Sequence, residues 1–159
     1  MANTEAYKKQ VETWFLNELI GAYPKNTLSK GKVKLNWGGE FEYDIVIKND
    51  AHDIEAVYCL SCSNYKTSSG KGGSGKLLKI KADAMMMLGT DVEKKVLAFT
   101  GKSMYDKIKS EQEKGRFPLD ITLEYIDLQI RNNVLFDLVE RTMDEASSEI
   151  KTVSLKPKE

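Results

Sequence analysis

The stretch Glu40–Cys62, EFEYDIVIKNDAHDIEAVYCLSC, decides the fold because it reads as two strands joined by a polar turn. Apolar and polar residues alternate over the first strand, Glu40–Lys48. This alternation predicts one face with Glu42, Asp44, Val46 and Lys48, and an opposite face with Phe41, Tyr43, Ile45 and Ile47. A carboxylate in the middle of such an apolar strand costs desolvation energy unless it is paired, for example with a metal ion. Asp44 is therefore the leading candidate for a functional residue.

Composition and charge are those of an ordinary globular chain. It has 159 residues, of which 41% are hydrophobic and 30% charged, with 24 basic and 24 acidic residues. This length is typical of a single domain, which we assign to residues 1–150, followed by a flexible tail at residues 151–159. No segment has the roughly 18 apolar residues of a membrane span, and the N-terminus has no apolar signal core. With two cysteines and no secretory signal, the expected location is the reducing cytoplasm, with no membrane partner.

Basic residues are concentrated in one segment although the whole chain is neutral. Between Ala56 and Ala82 there is no Asp or Glu, yet the segment contains Lys66, Lys71, Lys76, Lys79 and Lys81. Residues Ser63–Ser74 are rich in Ser, Gly, Lys and Asn, which predicts a flexible loop. Lysines in such a loop contact nucleic-acid phosphates without reading the base sequence. We therefore expect DNA or RNA to be bound by Lys66, Lys71, Lys76 and Lys79.

The segment Gly70–Lys76, GKGGSGK, also fits the G-x4-G-K pattern of a phosphate-binding loop. It resembles the lysine-bearing variant of partitioning-type ATPases. However, Leu77 stands where that motif needs a hydroxyl group for magnesium, and the next buried strand ends in Phe99-Thr100 without the expected Asp. An antiparallel meander at the start of the chain is also the wrong scaffold. A flexible loop that touches backbone phosphates is the better interpretation.

Cys59 and Cys62 have the C-x-x-C spacing of redox and metal sites. Residues three apart on one strand point to opposite faces, so neither a disulfide nor a shared metal is expected. His52 alone is too little to complete a zinc site without carboxylates. We interpret both cysteines as small buried apolar residues.

Hydrophobic periodicity and turn residues predict four helices and five strands. In chain order they are a helix at Thr4–Gly21, strands at Lys32–Trp37, Glu40–Lys48 and Ile54–Cys62, a helix at Gly75–Leu88, a strand at Lys95–Thr100, a helix at Lys102–Lys114, a strand at Ile121–Leu128 and a helix at Asn132–Ile150. The inward side chains of the last helix are expected to be Val134, Leu135, Leu138 and Val139. The order predicts an α/β fold with a mixed central sheet and flanking helices.

This order, with an acid in the second strand and basic residues after the third, resembles the PD-(D/E)XK nuclease superfamily, which has the restriction-endonuclease-like fold. The resemblance covers about Tyr7–Thr100. It rests on Glu42-Tyr43-Asp44-Ile45-Val46, which looks like the E-x-D-hydrophobic strand of the family, and on Glu18 in the first helix. It implies an αβββαβ core and a divalent ion, Mg²⁺ or Mn²⁺, held by Asp44 and Glu18 to activate water for phosphodiester hydrolysis.

The third strand departs from the family pattern, which has a D/E-x-K pair there. Across the strands Asp44 faces Val57 or Tyr58, and the strand supplies no carboxylate or lysine at the matching positions. Glu55 lies nearer the turn, and Lys66 follows in the loop. The catalytic set that the resemblance implies is therefore Asp44, Glu18, Glu55 and Lys66. A plainer interpretation is that Asp44 is solvated or paired with a lysine.

Two functions follow from the resemblance. One is a nucleic-acid-binding PD-(D/E)XK-like domain, a Mg²⁺- or Mn²⁺-dependent endonuclease if its site is intact. The other is a catalytically inactive subunit with the same fold that assembles with a larger nucleic-acid-processing or defence complex, or with copies of itself. The enzyme predicts metal-dependent stability that Asp44→Ala removes. The subunit predicts an exposed apolar face on the Asn132–Ile150 helix.

Overall fold

A computed structural model of the protein describes residues 5–65 and 73–141. The expected tail at residues 151–159 and the loop lysines Lys66 and Lys71 lie outside the described residues. Within the two described ranges, no helix combines the length and the apolar character that crossing a bilayer requires. All of the predicted strands fall inside these ranges.

The elements follow the predicted order, with one short helix added. They are α1 (Glu5–Ala22), β1 (Thr27–Lys34), β2 (Glu40–Lys48), β3 (Ile54–Ser61), α2 (Ser74–Leu88), β4 (Lys94–Phe99), α3 (Lys102–Glu113), β5 (Ile121–Tyr125) and the short α4 (Leu128–Arg131). A further helix, α5, occupies residues 133–141, where the described part of the chain ends. The sheet has the order β1-β2-β3-β4-β5. Strands β1, β2 and β3 pair antiparallel, whereas β3, β4 and β5 pair parallel. The predicted α/β class with a mixed sheet and flanking helices is confirmed.

Each face of the sheet is covered by its own hydrophobic core. Helix α1 packs Val11 and Phe15 against one face, where Tyr58 of β3 is buried with them. Helices α2 and α3 pack Met87 and Met104 against the other face. Helices α2 and α3 lie on the same side of the sheet because each connects two parallel strands, and such connections have the same, right-handed, crossover. The carboxyl ends of β3, β4 and β5 consequently meet at one edge of the sheet, which is where open α/β folds place their ligands.

Strand β2 contains a bulge that the alternation pattern does not reveal. Gly31 of β1 pairs with Tyr43, and Ser29 pairs with Val46, so β2 has one extra residue between these pairs. Tyr43 and Val46 therefore pack in the same core, on the side of α2 and α3, while Ile45 packs on the side of α1. The predicted strict alternation over Phe41–Lys48 is wrong, because a bulge reverses the face of every later residue.

Strand β1 begins and ends earlier than the predicted Lys32–Trp37. Its buried residues extend back to Leu28, which packs against α1. Trp37 lies in the turn before β2 and is 57% exposed. Its ring covers Gly89 at the end of α2, so closely that a Cβ atom there would lie 2.5 Å from the indole. Trp37 therefore fits the apolar alternation that predicted β1, but it lies outside the strand and packs on the end of a helix.

The C-terminal elements also differ from the prediction. Strand β5 ends at Tyr125, and Asp127 then caps α4 by accepting a hydrogen bond from the Ile130 amide at 3.4 Å. Of the four residues of α5 that were predicted to face inward, two are buried, Leu135 and Val139. The other two, Val134 and Leu138, are 77% and 37% exposed. Residues 142–150 of the predicted helix lie outside the described residues.

The β2–β3 turn offers a test of backbone strain. His52 has a φ of 64°, in the left-handed region, which costs an L-residue about 1–2 kcal/mol. Glycine adopts this conformation without the Cβ clash but loses more freedom on folding. We expect His52→Gly to raise the free energy of unfolding by up to about 1 kcal/mol, or about 2–4 °C in Tm. Thermal unfolding followed by circular dichroism measures the effect. His52→Ala keeps the Cβ atom, so an equal gain from that variant would contradict this explanation.

Candidate functional site

A polar cavity of about 290 Å³ opens at the carboxyl end of β3, between α1 and α2. Residues Ser61–Ser63, which end β3 and follow it, form its floor. The charged side chains on its walls are Lys8 from α1 and Lys76, Lys79 and Asp83 from α2. We call this cavity the β3 cleft. It lies at the sheet edge where the strand order favours a ligand site, and it contains two of the predicted phosphate-binding lysines, Lys76 and Lys79.

Asp44 lies beside the β3 cleft and has a structural partner. The β2–β3 pairing ends at Ile45 and Tyr58, just where the bulge turns β2. Beyond that point, the Leu60 amide donates a hydrogen bond of 2.7 Å to Oδ2 of Asp44. The carboxylate thus replaces a strand carbonyl that the bulge has moved away. This bond accounts for a half-buried carboxylate in an apolar strand without any metal ion.

Helix α1 contributes an ion pair that faces Asp44. Lys8 and Glu12 are four residues apart, and their Nζ and Oε1 atoms are 3.6 Å apart. Burial lowers the pKa of Lys8, but the carboxylates of Asp44 and Glu12 outweigh it, so the net pKa is raised. Burial and the neighbouring Asp44 charge raise the pKa of Glu12 against the opposing effect of Lys8. Lys8 is therefore held as a cation between two acids.

Asp83 of α2 is the third acid near the cleft. Burial raises the pKa of Asp83, and Asp44 raises it further, while Lys79, one helical turn earlier, opposes both. The charge of Asp44 consequently disfavours the ionised forms of both Glu12 and Asp83. This repulsion is a cost that the described structure carries at neutral pH.

The raised pKa of Asp83 predicts a pH-dependent change in stability. Its folded-state pKa lies above its unfolded-state pKa, so stability falls as pH rises between the two values. The loss is complete above the folded-state pKa and absent below the unfolded-state pKa. Asp83→Asn, which keeps the shape and removes the charge, should therefore have a higher Tm than the wild type at neutral pH.

Thermal unfolding of both proteins over a series of pH values checks this prediction. The difference in Tm should shrink on acidification, because the wild-type carboxyl becomes neutral. A variant that is less stable than the wild type at neutral pH would contradict the assignment.

Two predicted site residues lie away from Asp44. Glu18 is six residues after Glu12, hence about 9 Å farther along α1 and on another side of the helix. It is exposed and pairs with Arg131, whose guanidinium is 3.9 Å away and also stacks on Trp14. Glu55 accepts a hydrogen bond of 3.0 Å from Asn26 at the start of β3. The structure does not bring Glu18 or Glu55 together with Asp44.

Glu55 precedes Leu60, the partner of Asp44, by five strand residues, or about 16 Å. Lys66 and Lys71 lie outside the described residues, so their positions relative to the cleft stay predictions. Lys8, Glu12 and Asp83 were not predicted to belong to the site. For Lys8 and Glu12 the sequence contains a signal, since each directly follows a buried residue of α1, Tyr7 and Val11 respectively.

The described residues supply few metal-binding side chains around Asp44. Among residues 5–65 and 73–141, no three His, Cys, Asp or Glu side chains converge closely enough to hold one. Asp44 uses one oxygen for the Leu60 amide, and Glu12 is paired with Lys8. Magnesium requires several carboxylate, phosphate or water oxygens in near-octahedral geometry. Among the described residues, the cleft therefore has one ion pair, Lys8–Glu12, and no group of three side chains that would hold a magnesium or manganese ion without further ligands.

The two cysteines behave as predicted. Both are free and buried, Cys59 in the core beside α2 and α3 and Cys62 in the core beside α1. Burial raises the pKa of Cys62 to about 11 and also raises that of Cys59. Their thiols therefore stay protonated at neutral pH, which makes them poor nucleophiles and metal ligands.

Comparisons of the chain with family models, with curated proteins and with solved structures give no match.

Proposed function

We propose that the protein binds the phosphate backbone of nucleic acids in the β3 cleft and does not hydrolyse it. The observation that carries this proposal is the position of Lys76 and Lys79. Both are exposed on α2 at the mouth of the cleft, and neither forms an ion pair of 4.0 Å or less within the described residues. Exposed ammonium groups next to a polar cavity attract phosphates and release their counterions.

The beginning of α2 adds to this attraction. Its first turn contains no acid, and its N-cap residue, Gly73, makes no side-chain hydrogen bond to the helix. The first amides of α2 are thus available to an anion, and the helix dipole favours negative charge there. Lys76 lies in this first turn. The ammonium group of Lys76 and the first amides of α2 therefore belong to the same helical turn, and both favour an anion near it.

We propose that the protein does not hydrolyse nucleic acid because its acidic side chains have other partners. Asp44 supports the backbone of β3, Glu12 neutralises Lys8, and Glu18 pairs with Arg131. Our proposal includes a relationship to the PD-(D/E)XK superfamily. It is supported by the order of the elements: a helix, a meander of three strands, a helix and a strand. In that case the domain has kept the scaffold and a phosphate-binding surface without its metal ligands. Two buried free thiols favour the cytoplasm as its location.

Fluorescence anisotropy with labelled DNA and RNA oligonucleotides tests the binding directly. We expect the observed association constant to fall with salt, with a log–log slope of about −2 if two lysines each neutralise one phosphate. Binding that is undetectable at low salt for single strands, duplexes and RNA alike would refute the proposal.

A plasmid-nicking assay with Mn²⁺ tests the absence of hydrolysis. We expect no cleavage by the wild type, because the described carboxylates do not converge on one point. Cleavage by the wild type that disappears in Asp44→Asn would show instead that the site is an active metal centre. Asp106→Asn is a suitable control, since this exposed residue pairs with Lys102 within the same helix, α3.

A second candidate function is assembly through α5. A groove of about 490 Å³ runs between α1 and α5, with Trp14 on one side and Val134 and Leu138 on the other. Ile130 of α4, 82% exposed, lies four residues before Val134 in the sequence. Exposed apolar side chains of this kind mark protein–protein interfaces. Light scattering at several concentrations tests it: self-assembly predicts a dimer or larger species that Val134→Lys returns to the monomer.

A further inference from the structure

Two tyrosines form an aromatic surface at the same sheet edge as the β3 cleft. Tyr125 ends β5 and Tyr105 lies in the first turns of α3. Their ring centroids are 5.5 Å apart with an interplanar angle of 38°. Tyr105 also packs edge-on against Phe99 at the end of β4, with centroids 6.0 Å apart. We call Tyr105 and Tyr125 the tyrosine platform.

Both tyrosines of the platform are half-buried, and one cation lies over their rings. Nζ of Lys102 lies 5.1 Å from the Tyr125 ring centroid and 5.5 Å from that of Tyr105. The Lys102 side chain is 60% exposed, so the side of the rings on which it lies faces the protein surface. Lys102 also has a second partner, Asp106, whose Oδ1 is 3.1 Å away. Lys102 can therefore leave the ring faces while it keeps its ion pair.

The platform and the cleft are joined through the sheet and through one loop. Ser61, Phe99 and Tyr125 are paired in a single row across β3, β4 and β5. With strands about 4.8 Å apart, the two outer members of this row are about 10 Å apart. At a rise of about 3.4 Å per stacked nucleotide, this distance corresponds to about three nucleotides.

The residues after β3 connect the cleft to the beginning of α3, the helix that contains Tyr105. The first of these residues form the floor of the cleft, while Tyr65 lies under Lys107 of α3, with Nζ 5.3 Å from the ring centroid. The Tyr65 amide donates a hydrogen bond of 2.9 Å to Oγ of Ser103, which fixes this loop to the beginning of α3. Gly101 has no room for a side chain, because a Cβ atom there would lie 2.3 Å from the Ser63 carbonyl oxygen. The relative position of cleft and platform is thus built into the fold.

We propose that the tyrosine platform stacks unpaired bases of a single-stranded nucleic acid whose phosphates lie in the β3 cleft. This inference rests on the proposed phosphate binding and specifies the class of nucleic acid. Paired bases in a duplex already stack on their neighbours, whereas unpaired bases can place a face on an aromatic ring. Each stacked base strengthens binding by about tenfold, and every base has such a face, so little sequence preference is expected.

The test compares two single-stranded oligonucleotides of about ten nucleotides, one of thymidines and one of abasic sites with the same phosphates. Fluorescence anisotropy should show the thymidine oligonucleotide bound about tenfold more tightly or better. The double variant Tyr105→Leu/Tyr125→Leu should bind both oligonucleotides as the wild type binds the abasic one. Leucine keeps an apolar side chain, and the single variant Tyr125→Leu repeats the test with a smaller change at the core.

Tyr23→Leu is the matched control. Tyr23 also lies under a lysine, with Nζ of Lys94 5.7 Å from its ring centroid, but at the amino end of β4. This variant should leave both affinities unchanged. If the wild type binds both oligonucleotides equally, the stacking inference is overturned while phosphate binding stands. If the tyrosine variants lose affinity equally for both oligonucleotides, the inference is overturned as well. If neither oligonucleotide binds, the proposed function itself falls.

Discussion

Replacing Lys76 and Lys79 together by glutamate should weaken nucleic-acid binding by about a hundredfold at about 0.1 M salt. Each lysine that neutralises a phosphate contributes about −0.7 for a single strand, or about −0.9 for B-DNA, to the slope of log K against log salt concentration. Each is therefore worth roughly five- to tenfold at this salt, and the introduced glutamates add repulsion. The double variant should also lower the magnitude of the slope by about two. Anisotropy titrations of wild type and variant over a range of salt concentrations measure both quantities.

The matched control reverses two charges at the opposite end of the sheet. Lys25 lies before β1, and Lys114 ends α3, and both are exposed. Lys25→Glu/Lys114→Glu makes the same change in net charge as the cleft variant. We expect it to reduce affinity far less, because long-range interactions are screened beyond about 10 Å at this salt. Equal losses in the two double variants would mean that only net charge matters, and the cleft would not be the binding site.

Asp44→Ala should lower the free energy of unfolding by about 1–3 kcal/mol, with or without Mn²⁺. The substitution removes the acceptor of the Leu60 amide and leaves that donor without its 2.7 Å hydrogen bond at the end of the β2–β3 pairing. It also leaves Lys8 with one carboxylate fewer. For a chain of this size, each kcal/mol corresponds to about 2–4 °C in Tm. Differential scanning calorimetry with and without the metal measures the change.

Asp44→Asn separates the hydrogen bond from the charge. Asparagine keeps a side-chain oxygen that accepts from the Leu60 amide, and it relieves the repulsion that raises the pKa values of Glu12 and Asp83. We therefore expect this variant to lose less stability than Asp44→Ala. A wild type that Mn²⁺ stabilises and an Asp44→Asn variant that it does not would contradict the structural role and favour the metal site.

Most of the sheet can be predicted from local sequence patterns. Strand β2 has the predicted bounds, Glu40–Lys48, and β3 differs from its prediction by one residue, because apolar runs ended by Gly-Gly and by Asn49–Asp53 are clear strand and turn signals. Strand β1 is less clear, since its lysines and Gly31 weaken the apolar pattern. The bulge in β2 could not be predicted, because it depends on the residues of β1 that face it.

The site was predicted in part. Asp44, Lys76 and Lys79 are at or beside the β3 cleft. Asp44 was identified as a charge within an apolar strand, and Lys76 and Lys79 as members of a segment that has lysines and no acids. Glu18 was predicted because it follows Trp14 by four residues, at the edge of the apolar stripe of α1, whereas the acid of α1 on which the Asp44 charge acts is Glu12. Which acid of α1 faces Asp44 depends on the angle at which the helix crosses the sheet. A one-dimensional pattern contains no information about that angle.

Nuclear magnetic resonance of the ¹⁵N-labelled protein during titration with a short single-stranded oligonucleotide tests the central claim most directly. The β3 cleft predicts that the largest amide shifts occur at Ser61–Ser63 and around Lys76 and Lys79. Small or absent shifts at Val134 and Leu138 are expected in the same spectra. Shifts that cluster on α5 would contradict the assignment of the cleft as the nucleic-acid site. The assignment would also be contradicted if no amide shifted at oligonucleotide concentrations that saturate the anisotropy signal of the same sample.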